Sequence, residues 1–94
     1  YWNGPQTAAL LAEFGRTYPF RWNMPCSSGT AALHIAVAAL RLPPGSEVIT
    51  SPVTDMGSVI GILYQQCVPV FADIDPHTYN LDPQAVRRAI TPRT

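Results

Sequence analysis

Apolar residues recur at helical spacing in three stretches of the chain, and short β-branched or apolar runs fall between them. Pro5 to Phe14 (PQTAALLAEF) opens on a proline suited to a first helical turn, brings Leu10, Leu11 and Phe14 toward one side, and stops at Gly15. Ala31 to Leu42 (AALHIAVAALRL) places Leu33, Val37 and Leu40 at helical intervals and meets the terminator Pro43-Pro44-Gly45. Met56 to Gln66 (MGSVIGILYQQ) aligns Val59, Ile60, Leu63 and Tyr64 in a third apolar stripe. Glu47 to Thr50 (EVIT) and Val68 to Ala72 (VPVFA) read as strands, the second despite Pro69 near its start. Pro19 to Pro25 (PFRWNMP) leaves room for at most a very short strand. Asp73-Ile74-Asp75-Pro76 turns the chain, and Asp82-Pro83 supplies a cap and first-turn proline for a last helix over Pro83 to Ile90.

The predicted order is helix, short strand at most, helix, strand, helix, strand, helix. Parallel strands need crossovers that commonly contain helices, so this alternation predicts a mostly parallel α/β sheet. No internal repeat or low-complexity linker divides the 94 residues, which read as one domain or one portion of one.

Composition narrows the chemistry. All six basic residues are arginine, matched by six acids, so the formal charge is zero and no broad positive field exists to draw in a nucleic acid. With no lysine, the chain holds no lysine Schiff base, phosphate-loop lysine or lysine base. The most apolar run contains His34 and Arg41 and falls short of the roughly 20 residues needed to cross a bilayer, so no membrane span is expected. Cys26 and Cys67 lack the close spacing of a zinc or dithiol motif, which favours reduced thiols and a cytoplasmic setting. The hydrophobic content of 47% is too high for a disordered segment, yet a chain this short buries only about two-thirds of its unfolded surface. The opening YWNGPQ and the closing ITPRT, directly after a helical pattern, read as cuts through a longer chain.

The most informative chemical feature is Cys26-Ser27-Ser28-Gly29-Thr30-Ala31-Ala32, a small-residue turn entering a long apolar helix. Gly29 admits close approach of a ligand, the first helical amides lack intrahelical acceptors, and the hydroxyls of Ser28 and Thr30 can donate to phosphate oxygens. The same residues also serve as ordinary helix caps. The turn is neither a Walker loop nor GxGxxG, because it has no lysine and a single glycine.

The ordered phrases CSSGTAALHIAVAAL, PPGSEVIT, SPVTD, GILY, VPVFADIDPHTYNLDPQAV and AITPRT resemble the opening part of the DegT/DnrJ/EryC1/StrS aminotransferases, strongly from Cys26 to Thr94 and more thinly over Pro5 to Phe14. The resemblance implies the aspartate-aminotransferase-like fold (fold type I), with residues 1–94 forming the first portion of the large domain of a three-layer α/β protein. The rest of that domain and a C-terminal small domain would lie outside this chain. It implies pyridoxal 5'-phosphate as cofactor and a homodimer with active sites near the subunit interface. The implied reaction moves an amino group from glutamate or glutamine to a keto sugar, a nucleotide-linked keto sugar or a cyclitol. By the same resemblance, the backbone of Gly29, Thr30 and Ala31 meets the cofactor phosphate, assisted by the hydroxyl of Ser28 or Thr30. The Schiff-base lysine and the acid paired with the pyridine nitrogen lie beyond the segment, which alone is expected to be inactive.

One position departs from the family pattern. Where relatives commonly carry an aromatic ring against the cofactor pyridine, Ser51-Pro52-Val53-Thr54-Asp55 ends in a carboxylate with no stacking face. Asp55 therefore reads either as a hydrogen-bonding partner of cofactor or substrate, or as a cap for the helix beginning near Met56. The departure keeps open a related dehydratase or an inactive relative, beside a non-enzymatic α/β fragment whose SSGT turn merely caps a helix. Asp73 and Asp75 form an acid pair of the kind that general acid/base or metal chemistry uses, although turn formation already explains Asp75; Asp82 reads as a cap, and His34 and His77 lack a third metal ligand. Trp2, Tyr18, Phe20 and Trp22 form an aromatic entry read as packing ahead of pocket lining. Arg87 and Arg88 fit a solvated helix face, and Arg93 reads as a surface residue or a contact to an absent segment.

Overall fold

The computed structural model describes residues 4–94, so Trp2 lies outside the described residues. The element order is α1 (Pro5–Thr17), α2 (Gly29–Ala39), β1 (Glu47–Thr50), α3 (Gly57–Tyr64), β2 (Val68–Phe71) and α4 (Pro83–Ala89). Strands β1 and β2 pair in parallel with Glu47 opposite Val68 and Thr50 opposite Phe71, and α3 forms the crossover between them. The expected parallel α/β arrangement is therefore present, as one β-α-β unit flanked by α2 and α4.

Several boundaries differ from the sequence expectation. Helix α1 runs through Gly15 to Thr17, because a glycine lowers helical stability by only about 1 kcal/mol and does not by itself end a helix. Helix α2 starts at Gly29, two residues earlier than expected, once Ser28 supplies the cap. It stops at Ala39, well before the proline pair, because Arg41 enters the left-handed region at φ 51°. Gln66, at φ 56°, closes α3 in the same way while the amide of Cys67 donates to the Ile62 carbonyl at 3.1 Å. No strand forms over residues 19–25. Asp82 does cap α4, accepting from the amides of Gln84 at 2.9 Å and Ala85 at 3.1 Å.

The buried apolar side chains are Val59 and Ile62 of α3, Cys67 at the join to β2, Ala72 and Ala85. None lies in α1 or α2. Glu47, at the head of β1, is a buried carboxylate that sequence reasoning missed. It accepts from the Thr91 hydroxyl and from Arg93 Nε at 3.0 Å and Nη2 at 2.6 Å, while its own amide donates to the Arg93 carbonyl at 2.8 Å. The Thr91 hydrogen bond, followed by the Arg93 guanidinium, holds the Glu47 carboxyl below the usual glutamate range. Arg93 is thus the ionic partner of a buried acid.

The aromatic entry is not packed into this core. Phe14 and Tyr18 meet at 4.7 Å between centroids, Tyr18 and Phe20 at 6.5 Å, and the Arg21 guanidinium lies 5.6 Å from the Trp22 ring. Trp22 nonetheless remains 82% exposed, because no sheet or helix face of the described residues reaches it.

Candidate functional site

The carboxyl end of β1 leads through Ser51–Met56 into α3, and the head of α3 lies against the head of α2. Two glycines create this contact. A Cβ on Gly57 would fall inside the van der Waals contact distance of the Thr30 hydroxyl, and one turn later a Cβ on Gly61 would lie 2.8 Å from the Cα of His34. The pairing of Gly57 with Thr30 and Gly61 with His34 shows that α2 and α3 run side by side in the same direction. Both positive helix ends therefore converge beyond the carboxyl end of a parallel strand, where open α/β sheets bind ligands.

At the head of α2, Ser28 is extended (φ −165°) and its Oγ accepts from the amide of Ala31 at 3.1 Å, while the Ser28 carbonyl accepts from Ala32 at 3.0 Å. The Ala31 amide is thereby engaged within the turn. The amides of Gly29 and Thr30 have no acceptor among the described residues, and the Thr30 hydroxyl likewise has no recorded partner there. This leaves two N–H donors and one O–H donor exposed at the positive end of an 11-residue helix. That donor set fits a phosphate group, which presents several acceptor oxygens.

Asp55 stands beside this opening. Its Oδ1 accepts from the Gly57 amide at 2.7 Å, the geometry of a cap, while its exposed side chain also borders the space that a Gly57 Cβ would occupy next to Thr30. The Thr54 hydroxyl donates to Ser58 Oγ at 3.0 Å, fixing the loop on the first turn of α3. Asp55, distant in sequence, thus stands at the same corner as the consecutive residues Ser28, Gly29, Thr30 and Ala31.

Other candidates are occupied elsewhere. His34 is half-buried between α2 and α3, with Nε2 at 2.8 Å from Gln65 Nε2 and its ring 5.3 Å from Tyr64. Asp75 Oδ1 accepts from the amides of His77 at 2.7 Å and Thr78 at 3.0 Å, and these bonds hold its carboxyl below the usual aspartate range. It is the acceptor of a turn, as the following proline indicated. Among the described residues no group of three or more His, Cys, Asp or Glu side chains could hold a metal ion, and no helix is long and apolar enough to cross a membrane. A cavity of about 710 Å³ between α1 and α2 is lined by Thr7, Met24, Pro25, Cys26, Ala31 and Ile35, on the α1 side of the phosphate-type turn.

Known proteins resemble this chain in sequence and in fold. The chain is 41% identical over 97% of its length to a Pseudomonas aeruginosa protein, UDP-2-acetamido-2-deoxy-3-oxo-D-glucuronate aminotransferase, of which it covers 25%. It is 48% identical over 92% of its length to a putative L-glutamine:3-amino-2,3-dideoxy-scyllo-inosose aminotransferase of Streptoalloteichus tenebrarius, covering 21% of that protein. The solved structure of NtdA from Bacillus subtilis with bound cofactor PMP superposes with a TM-score of 0.89 at 34% identity, over 98% of this chain and 21% of NtdA. The chain thus spans about a quarter or less of the length of these relatives. The sequence model of the DegT/DnrJ/EryC1/StrS aminotransferase family matches residues 1–94, and the chain belongs to that family.

Proposed function

We propose that residues 1–94 are the first portion of the large domain of a pyridoxal-phosphate-dependent aminotransferase, and that they hold the cofactor phosphate. The observation that carries this reading is the pair of open amides at Gly29 and Thr30, with the Thr30 hydroxyl beside them, at the convergent heads of α2 and α3. When bound, pyridoxal phosphate supplies an electron sink for chemistry at the amino-bearing carbon. Gly29 and Thr30 orient it by its phosphate, assisted by the Ser28 hydroxyl, whose proton remains free to donate while its oxygen caps Ala31. Asp55, beyond the carboxyl end of β1, offers a hydrogen-bond acceptor to the cofactor or to a substrate hydroxyl. Because the 94 residues contain no lysine, they bind and orient, while the amine that joins the cofactor comes from outside them.

The substrates that fit are an amino donor, glutamate or glutamine, and a keto sugar, nucleotide-linked keto sugar or cyclitol acceptor. The sugar and cyclitol aminotransferases among the relatives support this class. The working unit is a cytoplasmic homodimer, in which the exposed rings from Phe14 to Trp22 are covered by the remainder of the protein. Asp55 favours a second reading, a related sugar dehydratase or an inactive relative, because a carboxylate stands where the family commonly stacks an aromatic ring.

The test uses the purified protein that contains this chain, titrated with pyridoxal phosphate and assayed with glutamine or glutamate and a keto cyclitol or keto sugar. Binding that produces the absorption of a lysine-linked cofactor, followed by amino transfer, supports the proposal. Absence of that absorption rules out the aminotransferase, and dehydration without amino transfer selects the second reading.

A further inference from the structure

Gly57 occupies the first position of α3 without the left-handed backbone that would require glycine there. With no backbone requirement for glycine, the absence of a side chain at this position has a spatial reason. The space is already taken. A Cβ would collide with the Thr30 hydroxyl and lie 2.7 Å from Asp55 Oδ1, whereas the Thr30 Cβ, at 3.5 Å, would be in ordinary contact. Gly61 differs in kind, because its Cβ would meet the backbone of His34 and so sets how closely the two helices approach. Gly57 meets side-chain oxygens, both of which belong to the candidate site.

We propose that Gly57 is a positioning residue for the phosphate cradle: its missing side chain lets the Thr30 hydroxyl and the Asp55 carboxylate flank one opening at the head of α2. The inference rests on the reading that this opening holds the cofactor phosphate. An added methyl group forces the Thr30 hydroxyl to rotate away and Asp55 Oδ1 to shift, because it would lie inside the contact distance of both oxygens. Rotation of the Thr30 hydroxyl removes a phosphate donor from the opening, whereas a shift of Asp55 Oδ1 alone leaves the carboxylate at the same corner and removes no donor.

The phosphate is isolated by comparing two probes, pyridoxal phosphate and pyridoxal, in equilibrium titrations of the apoprotein that contains this chain. Gly57→Ala is expected to reduce the preference for pyridoxal phosphate over pyridoxal by about tenfold, the worth of one charge-assisted hydrogen bond, while changing pyridoxal affinity less than about twofold. In a Thr30→Ala background the same substitution is expected to change the preference less than about twofold, because the donor whose displacement carries the effect is already absent. An unaltered preference in Gly57→Ala overturns the inference alone. So does an equal loss for both probes accompanied by a lower apoprotein melting temperature, or an undiminished loss in the Thr30→Ala background. If Gly57→Ala does not fold, the double variant, relieved of the closer contact and left with only the Asp55 side-chain end to shift, is expected to fold; a double variant equally unfolded overturns the contact. A wild-type protein without any preference for pyridoxal phosphate overturns the phosphate reading as well.

Discussion

The stretch from Gly4 to Ser28 and the α2-β1-α3-β2 unit are both rich in apolar residues, but they dispose of them differently. In the unit, α3, in contact with α2 and β2, buries Val59 and Ile62, and Ile62 is only 3% exposed. In the N-terminal stretch, α1 buries nothing, and Leu10, Tyr18, Phe20 and Trp22 all face outward. The radius of gyration, 16.3 Å, exceeds the roughly 12 Å expected of a compact chain of this length. An amphipathic pattern states which face needs cover, whereas topology decides whether the same chain supplies it. The β-α-β crossover does so for α3, and no sheet face within the described residues does so for α1.

The largest test of this contrast is truncation of equivalent apolar residues. Ile62→Ala is expected to destabilise the chain by about 3 kcal/mol through lost burial and a residual cavity, against about 0.5 kcal/mol or less for Leu10→Ala. Urea denaturation measures both, and equal losses would remove the distinction between the regions.

Acid titration sharpens the contrast at the base of β1. Because the folded-state pKa of Glu47 is lowered, its stabilisation is fully present above the ordinary glutamate range and is lost as pH falls through the lowered value. Melting temperature followed from about pH 7 to about pH 3 should therefore fall on the acid side, with a shallower decline in Glu47→Gln. An identical decline in the variant would mean that the Thr91 and Arg93 partners do not hold the charge.

Two smaller effects probe the ends of helices. Asp82→Ala is expected to cost about 1 kcal/mol, because the amides of Gln84 and Ala85 lose their acceptor. Gln66→Gly is expected to gain about 0.5 kcal/mol in the same denaturation assay, since the left-handed position after α3 suits glycine.

What was legible in the sequence was local. The β-branched EVIT run and the Asp82-Pro83 helix start depend on neighbouring residues, and each took the expected form apart from shifts at element ends. The Ser28 cap was similarly readable from a hydroxyl ahead of an apolar run. Pairings across long separations were not. Glu47 and Arg93 lie 46 residues apart, and the only signal was an acid heading an otherwise apolar strand. The approach of Gly57 to Thr30 was equally hidden, although glycines spaced four apart in GSVIG mark a helix face that a second helix can approach closely. Asp55 was read both as a cap and as a ligand-facing group. The structure provides the capping bond and also sets the carboxylate at the space beside Gly57 that the Thr30 hydroxyl borders.

The most direct test of the central proposal is a crystal structure of the protein that contains this chain, determined with pyridoxal phosphate bound. The phosphate oxygens are expected about 3 Å from the amides of Gly29 and Thr30. A cofactor phosphate bound elsewhere, with the Ser28–Ala31 turn facing only solvent, would contradict the assignment of this turn as the phosphate site.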